Sequence, residues 1–238
     1  KVMADIHGRP MLWHVFQGVS KAKRITGVWV LTDSAEVFQA ASSWGAKAIM
    51  TSEDCPSGTA RIASVIDQLD ADIIINVQGD EPLMTGAVVD TMIASIEGST
   101  ADVVTPVYRI RNPEDITNLN INKVVRASDN TALYFSHSPI PHVRDEPVED
   151  WASRTAFWGH VGVYGYRRSI LEEYSQLPEG ELDVRITSSS INFAGAPATI
   201  RMWINGEESP LTGSSMEYTK QGGFHANNIS LLGYGTDL

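Results

Sequence analysis

Residues 76–82, NVQGDEP, form the segment of the chain whose composition points most directly to chemistry. An apolar run ends here in Gln78, Gly79 and two adjacent carboxylates, Asp80 and Glu81. A glycine allows a ligand to approach the backbone closely, and carboxylate oxygens bind Mg²⁺ together with substrate phosphates. The segment is therefore a candidate magnesium site, with an ordinary exposed acidic turn as the alternative.

A second candidate is PSGTAR at residues 56–61. Small residues at a helix start leave backbone N–H groups free to face a ligand, and the helix dipole favours an anion there. Ser57 and Thr59 add hydroxyl groups, and Arg61 adds a cation one turn into the helix. The segment could hold a phosphate-bearing ligand, or it could be an ordinary N-cap.

A third candidate is WGHVGVYGYR at residues 158–167. Its alternating pattern predicts a single strand. The residues on one face of that strand would be His160, Gly162, Tyr164 and Tyr166. A polar and aromatic face of this kind suits a sugar, and a core histidine packed among tyrosines is the alternative.

The elements that must position these segments alternate along the first half of the chain. Strands are predicted at 27–33, 47–52, 73–77 and 101–110, and helices at 34–45, 57–70 and 86–98. This alternation is typical of a doubly wound α/β sheet, in which the ligand lies beyond the carboxyl ends of the strands. The residues expected at that edge are Thr32, Asp33, Gln78, Gly79, Asp80 and Glu81.

The pattern changes in the second half of the chain. Residues 122–141 predict two strands joined by a polar turn at 128–130. From about Asp183 the sequence becomes rich in Ser, Gly, Thr and Asn, with Asn205-Gly206 as a strong hairpin signal. We therefore expect an α/β domain over residues 1–182 and a β-rich tail of unknown role over 183–238.

Bulk composition excludes several classes of protein. The net charge of −11 argues against a general nucleic-acid binder, because phosphate contacts need clustered Lys and Arg. No run approaches the ~18 apolar residues that a membrane helix needs, and the first residues lack the apolar core of a signal peptide. The single cysteine, Cys55, fits a reducing compartment, and we expect a cytoplasmic protein with no nucleic-acid or membrane partner.

Taken together, seven strings resemble the 3-deoxy-manno-octulosonate cytidylyltransferases, the CMP-Kdo synthetases. In chain order they are KVMADIHGRPMLWHV, TDSAEV, SGTAR, NVQGDEPLM, NKVV, ALYFSHSPIP and HVGVYGYRRSIL. The resemblance covers roughly residues 1–182. Synthetases that activate sialic acid share the general layout but not this set of strings.

This resemblance implies a reaction and a fold. The family joins CTP to the sugar acid Kdo with Mg²⁺, giving pyrophosphate and CMP-Kdo for lipopolysaccharide precursors, and it usually forms homodimers. Its fold is a three-layer, Rossmann-like α/β sheet of the nucleotide-diphospho-sugar transferase type.

The resemblance also implies roles for individual residues. Those matching the segment that holds the cytidine part of CTP are Ser57, Gly58, Thr59 and Arg61. Those matching the Kdo side are Gln78, His160 and Tyr164. Those with a catalytic role are Lys1, which closes the phosphate loop, and Asp80, which binds the metal.

Three departures from the family pattern bear on activity. The sequence begins at the lysine of the phosphate loop, so we expect the chain to lack the N-terminal strand and loop arginines that precede it in the family. His137 stands where the family normally has Arg, which weakens any contact with a carboxylate. The match ends near residue 182, and the family's second metal-binding aspartate has only a weak counterpart in Asp237.

These departures predict that transfer by this chain is impaired. Two other interpretations remain open at this point. The chain could activate another sugar acid such as sialic acid, or it could be a non-catalytic binding or structural protein with a fused β tail.

Overall fold

The structure is a computed structural model that describes residues 1–174, 203–204, 207–208 and 229–233. These residues form two compact units. The first contains 1–99 and 163–174, and the second contains 100–162 and the three short strands beyond residue 200. The boundary predicted between residues 182 and 183 lies outside the described residues and stays a prediction.

The helices and strands follow one another in this chain order. The elements up to residue 99 are β1 (Asp5–Ile6), β2 (Arg9–Pro10), α1 (Met11–Val19), β3 (Trp29–Thr32), α2 (Ala35–Ser43), β4 (Lys47–Met50), α3 (Gly58–Ala63), a 3₁₀ turn (Ile66–Gln68), β5 (Ile73–Asn76) and α4 (Gly86–Glu97). The later elements are β6 (Val103–Ile110), α5 (Pro113–Thr117), β7 (Lys123–Arg126), β8 (Ala132–Ser136), α6 (Val148–Arg154), β9 (Phe157–His160), β10 (Tyr164–Arg167), α7 (Arg168–Glu173), β11 (Trp203–Ile204), β12 (Glu207–Glu208) and β13 (Ile229–Gly233).

In the first unit, β3 and β4 pair in parallel, with α2 as the connection between them. Ser34 caps α2 by accepting a hydrogen bond from the Val37 N–H, and Gly45 follows the helix with a φ of +83°. A positive φ is easily adopted only by glycine, so this helix ends where the sequence predicts. The strand β5 pairs with β10 in antiparallel orientation, in a different sheet from β3 and β4, whereas the apolar run at 73–77 favoured a parallel sheet.

In the second unit, β6, β9, β7 and β8 form antiparallel pairs, and β13 pairs with β6 in parallel. Its core contains Ile110, Ile116, Trp151 and Phe157, to which the short helices α5 and α6 contribute. The combination of sheets and helices confirms the predicted α/β class. Beyond residue 200, β11 and β12 pair in antiparallel orientation on either side of Asn205-Gly206, as the hairpin signal predicts.

Two predicted elements are wrong. The helix predicted over 57–70 ends at Ala63, because Val65 leaves helical geometry (φ −126°, ψ 16°) before the 3₁₀ turn. The single strand predicted at 158–167 is interrupted after His160 and resumes at Tyr164: β9 pairs with β6 and β7, and β10 pairs with β5. His160 therefore does not share a strand face with Tyr164 and Tyr166.

No helix in the described part of the chain is long and apolar enough to cross a bilayer.

Candidate functional site

The segment at residues 57–61 forms the start of α3, as the sequence predicts. The Ser57 hydroxyl accepts a hydrogen bond from the Ala60 N–H at 3.1 Å, and the Ser57 carbonyl accepts one from the Arg61 N–H at 2.9 Å. Ser57 is thus an N-cap that satisfies one of the free N–H groups of the helix start. The interpretation as an N-cap and the interpretation as a ligand site are compatible, because the cap fixes the backbone that a ligand would meet.

Thr59 points into the protein rather than toward solvent. It is 2% exposed, and its hydroxyl lies 2.9 Å from the hydroxyl of Tyr166 on β10, which is 1% exposed. Burial raises the pKa of Tyr166, although its side-chain hydrogen bonds with Thr59 and Asn76 act in the opposite direction. The phenol therefore remains protonated and links α3 to the sheet. The sequence places Tyr166 only on a polar and aromatic strand face and Asn76 only at the start of the 76–82 segment, and it predicts no contact of either with Thr59.

Gly58 brings the helix start against the end of β5. A Cβ atom added at Gly58 would lie 3.3 Å from both Asn76 Nδ2 and Gln78 Nε2, which is closer than most side-chain contacts. The two segments that the sequence singles out, at 57–61 and at 76–82, therefore meet at Gly58 and Gln78. This juxtaposition is the main geometric result for the site.

Arg61 is held by three groups of its own unit. Its guanidinium donates to Asp33 Oδ2 at 2.6 Å, to the Ser52 carbonyl at 3.3 Å and to the Thr51 hydroxyl. Asp33 follows β3 and Thr51 follows β4, so the arginine joins the carboxyl ends of these two parallel strands. The sequence places Asp33 at this edge but does not identify it as a partner of Arg61.

The acidic turn after β5 is the most accessible part of the site. Asp80 Oδ2 lies 2.7 Å from Lys1 Nζ, with side chains that are 36% and 78% exposed. The hydrogen bond and charge of Asp80 raise the pKa of Lys1. Gly79 holds the turn in place, because a Cβ atom there would lie 3.1 Å from Val2 Cγ1 and 3.3 Å from Leu12 Cδ1. The structure thus brings the two predicted catalytic residues into direct contact.

Glu81, the second carboxylate of this turn, has a raised pKa. Partial burial is the main cause and the neighbouring Asp80 charge adds to it, while Lys1 opposes both. Its N–H donates to the Gln78 carbonyl at 3.2 Å, which closes the turn. Asp80 is the more exposed carboxylate of the pair and therefore the one that a ligand can reach more easily.

The donor set of this turn fits a magnesium ion that is shared with a substrate. Among the described residues, no three His, Cys, Asp or Glu side chains are arranged to hold a metal. Mg²⁺ is commonly bound by one or two carboxylates with water and substrate phosphates, rather than by a cage of side chains. The accessible Asp80 carboxylate suits that mode of binding.

Tyr164 lies on β10 opposite Asn76 of β5 and is 3% exposed. Its ring is stacked on that of Tyr166, with 6.3 Å between ring centroids, and burial raises its pKa. Tyr164 thus adjoins the end of β5, two residues before Gln78. Little of its surface is accessible, and its predicted place on the sugar side stays a prediction.

His160 lies in the second unit, at the end of β9. The Thr105 hydroxyl donates to the Val161 carbonyl at 3.1 Å and lies 2.9 Å from His160 Nε2. Since a hydroxyl donates only one hydrogen bond, Nε2 carries the proton and donates to Thr105. Burial lowers the pKa of His160 to about 4, so the imidazole is neutral near pH 7.

His137, which replaces an expected arginine, is also held within the second unit. Its Nδ1 donates to the Leu119 carbonyl at 2.6 Å, and its own carbonyl accepts a hydrogen bond from Lys123 Nζ at 3.0 Å. Lys123 also donates to the Asn118 carbonyl and is fully buried, which lowers its pKa. A buried lysine in an apolar strand such as NKVV carries no signal in the sequence alone, and it was missed.

Comparisons with known proteins point to one family. The family model described as "Cytidylyltransferase" matches residues 1–190. The chain is 40% identical to a 3-deoxy-manno-octulosonate cytidylyltransferase of Geobacter sulfurreducens over 77% of its own length and 76% of the relative. It is 36% identical to one of Escherichia coli over 84% of its own length and 79% of the relative.

Solved structures agree with this result. A CMP:2-keto-3-deoxy-manno-octonic acid synthetase complexed with CTP aligns with a TM-score of 0.73 and 32% identity, covering 99% of this chain and 83% of that one. A structure of HddC from Yersinia pseudotuberculosis aligns with a TM-score of 0.50 and 14% identity over 73% of this chain and 69% of that one, and it supports the fold alone.

Proposed function

The chain belongs to the cytidylyltransferase family, and from that premise we propose that it transfers CMP from CTP to the sugar acid Kdo. The observation that carries the proposal is the contact of Gly58 with Gln78, which brings the helix start of α3 to the turn that ends in Asp80. A nucleotide held at the helix start would have its phosphates within reach of that turn. The names of the relatives and of the CTP-bound synthetase support CTP and Kdo as the substrates.

The proposed reaction is an in-line displacement at phosphorus. The anomeric hydroxyl of the sugar acid forms a new bond to the α-phosphorus of CTP, and its proton passes to solvent water. The bond from that phosphorus to the bridging oxygen of the β-phosphate breaks, and pyrophosphate leaves with the electron pair. Because little covalent chemistry falls to the protein, its contribution is to align two anions and to offset the charge between them.

Different residues of the first unit would align the substrates and offset their charge. The backbone at Ser57 and Gly58 would hold the nucleotide, with the helix start favouring its negative charge. The cation of Lys1 would contact the triphosphate. Asp80 would hold Mg²⁺, which when bound supplies Lewis-acid stabilisation of phosphate charge.

The resemblance assigns Gln78, Tyr164 and His160 to the sugar side; Gln78 and Tyr164 lie in the first unit, and His160 lies in the second. Because the pKa of His160 is about 4, its ring is uncharged at neutral pH and can orient a sugar hydroxyl but cannot pair with a carboxylate. The replacement of the expected arginine by His137 likewise removes a fixed cation. The charge of the sugar carboxylate would therefore be offset chiefly by the metal and by Lys1.

The central test is pyrophosphate release with CTP, Mg²⁺ and Kdo, compared with a panel that includes sialic acid. We expect release that requires Kdo and stops when Mg²⁺ is chelated. Release with sialic acid but not with Kdo would replace the proposed substrate, and no release with any sugar acid, together with no CTP binding by calorimetry, would overturn the function. The impaired rate, the homodimer and the cytoplasmic location stay predictions, and the same assay measures the rate.

A further inference from the structure

We infer that Tyr166 is a positioning residue for the nucleotide segment, and that Thr59 acts through Tyr166 rather than by contacting the nucleotide with its hydroxyl. This role rests on the proposed function. It changes the assignment of Thr59, which the family resemblance places among the nucleotide-binding residues. The geometry that supports it is the hydrogen bond of 2.9 Å between the two hydroxyls.

Both hydroxyl groups lie inside the protein. Thr59 is 2% exposed and Tyr166 is 1% exposed, so a ligand could reach the Thr59 hydroxyl only after the helix start had moved. Side-chain hydroxyls so deeply buried are normally used for internal hydrogen bonds, because leaving one without a partner is unfavourable. Thr59 is therefore suited to hold α3 in place, whereas the backbone of Ser57 and Gly58 is left to face the nucleotide.

The phenol of Tyr166 joins three elements at one point. It lies on β10, bonds to Thr59 on α3, and forms a side-chain hydrogen bond with Asn76 at the end of β5. The Asn76 amide also lies against Gly58, at 3.3 Å from the position of an added Cβ atom. The tyrosine thus sets the distance between the helix start and the end of β5, which is where Gly58 meets Gln78.

The main-chain register supports this link independently of the side chains. Asn76 pairs with Tyr164 and Ile74 pairs with Tyr166, so β10 runs antiparallel along β5 up to its last residue. A shift of α3 relative to β10 would therefore also be a shift relative to the Gln78–Asp80 turn. Loss of the phenol hydroxyl should then misplace the bound nucleotide without removing any group that touches it.

The test uses the variants Tyr166→Phe, Thr59→Val and Thr59→Ser, with the exposed Tyr134→Phe as the matched control. Tyr166→Phe and Thr59→Val should each raise the KM for CTP about tenfold, with kcat changed less than about threefold, because each removes one buried hydrogen bond. Thr59→Ser keeps a hydroxyl and should restore the wild-type KM. Tyr134→Phe should have no effect.

The double variant Thr59→Val with Tyr166→Phe shows whether the two hydroxyls act together or independently. If the two hydroxyls serve each other, the double variant should show a KM close to that of either single variant. If the Thr59 hydroxyl contacts the nucleotide, Tyr166→Phe should be near wild type and the effects should multiply, which would overturn the inference. A wild-type KM for both Thr59→Val and Tyr166→Phe would overturn it as well.

A ligand-free measurement keeps this test distinct from the test of the proposed function. Urea unfolding of the wild type, Thr59→Val, Tyr166→Phe and the double variant gives the coupling free energy between Thr59 and Tyr166 without any substrate. Non-additive shifts of the unfolding midpoint with no pyrophosphate release from the wild type would refute the function and leave the internal link standing. Additive shifts would refute the link, whatever the activity.

Discussion

The helix start of α3 and the acidic turn after β5 adjoin each other, yet they present their side chains in opposite ways. At the helix start the side chains bond to other parts of the fold: the buried Thr59 bonds to Tyr166, and the largely buried Arg61 bonds to the exposed Asp33. At the acidic turn, Asp80 and Lys1 are accessible and bonded to each other. The first region supplies a fixed backbone, and the second supplies charge that a ligand can reach.

Residues that match the family's motifs can therefore have two different roles: some fix the position of the backbone, and others present a charge that a ligand can reach. Groups held inside the protein should affect stability and nucleotide affinity together, because they set the position of the backbone. Accessible charges should affect turnover with little effect on stability, because nothing in the fold depends on them.

The largest effect is expected for Asp80→Asn, which keeps the shape of the side chain but removes the anion. We expect turnover to fall about 100-fold or more, since an electrostatic contact at the reacting phosphates is lost. The free energy of unfolding should change by less than ~0.5 kcal/mol. Pyrophosphate release and urea unfolding measure the two quantities.

A matched control is Asp145→Asn, which removes an aspartate from another exposed ion pair, with Arg144. Asp145 has a φ of +64°, a conformation that Asn also tolerates, so folding should be unaffected. Turnover by Asp80→Asn within tenfold of the control would contradict the assignment of Asp80 as the metal ligand.

The second prediction concerns the pH dependence of the free energy of unfolding, to which the buried imidazole of His160 should contribute. Because its pKa is lowered from 6.5 to about 4, the unfolded chain takes up a proton as the pH falls through 6.5, before the folded chain does. The stability from this group is therefore complete above about pH 7 and is lost progressively toward pH 4, a change of roughly 2–3 kcal/mol. Urea unfolding between pH 7 and pH 4 measures the slope.

His160→Gln should flatten that slope, since glutamine does not titrate, whereas the exposed His7→Asn should keep it. Parallel pH profiles for the wild type and His160→Gln would show that the ring is not held neutral by the fold. Loss of Kdo-dependent turnover in His160→Gln at pH 7.5, where stability is complete, would separately support a place on the sugar side.

Local signals explain how much of the fold was predictable. Ser34, Ser57 and Gly45 act at helix ends through atoms only a few residues away, so the sequence specifies them well. The strands at 73–76 and 103–110 follow from runs of apolar residues. The candidate segments at 57–61 and 76–82 were found for the same reason, because each combines a predicted element end with reactive side chains.

Contacts between distant residues explain what was missed. The break between β9 and β10 depends on which strands each of them pairs with, and the alternation in WGHVGVYGYR continues across it. The partners Thr59 and Tyr166 are separated by 107 residues, and Arg61 and Asp33 by 28. A sequence pattern records that these residues are polar but not that they meet, so outward binding roles were assigned to side chains that point inward.

The third prediction concerns Asp33→Ala, which should affect stability and nucleotide affinity together. Arg61 is 19% exposed and Asp33 is 40% exposed, so the pair is partly screened by water. We expect a loss of about 1 kcal/mol in the free energy of unfolding, after discounting a charged hydrogen bond for that exposure. The KM for CTP should rise several-fold, because Arg61 no longer joins the ends of β3 and β4.

Glu172→Ala is the control for Asp33→Ala, since it removes the partner of Arg168 from an i,i+4 pair on α7. Such helical pairs contribute ~0.3–0.5 kcal/mol, and Arg168 bonds to the carbonyls of Ile66 and Leu69 rather than to Arg61 or its partners. The KM for CTP should stay unchanged in the control. Equal KM values for the two variants would mean that Asp33 does not position Arg61 for the nucleotide.

The smallest effect on the fold is expected for Lys1→Gln. Lys1 is 78% exposed and its side-chain contact is with Asp80, so the urea midpoint should not move. The KM for CTP should rise several-fold at low salt, because a cation near the phosphates is lost. At about 0.5 M NaCl the difference from the wild type should shrink, since screening weakens an exposed charge far more than a buried one. A salt-independent difference would show that Lys1 does not act through its exposed charge and would contradict the role proposed for the acidic turn.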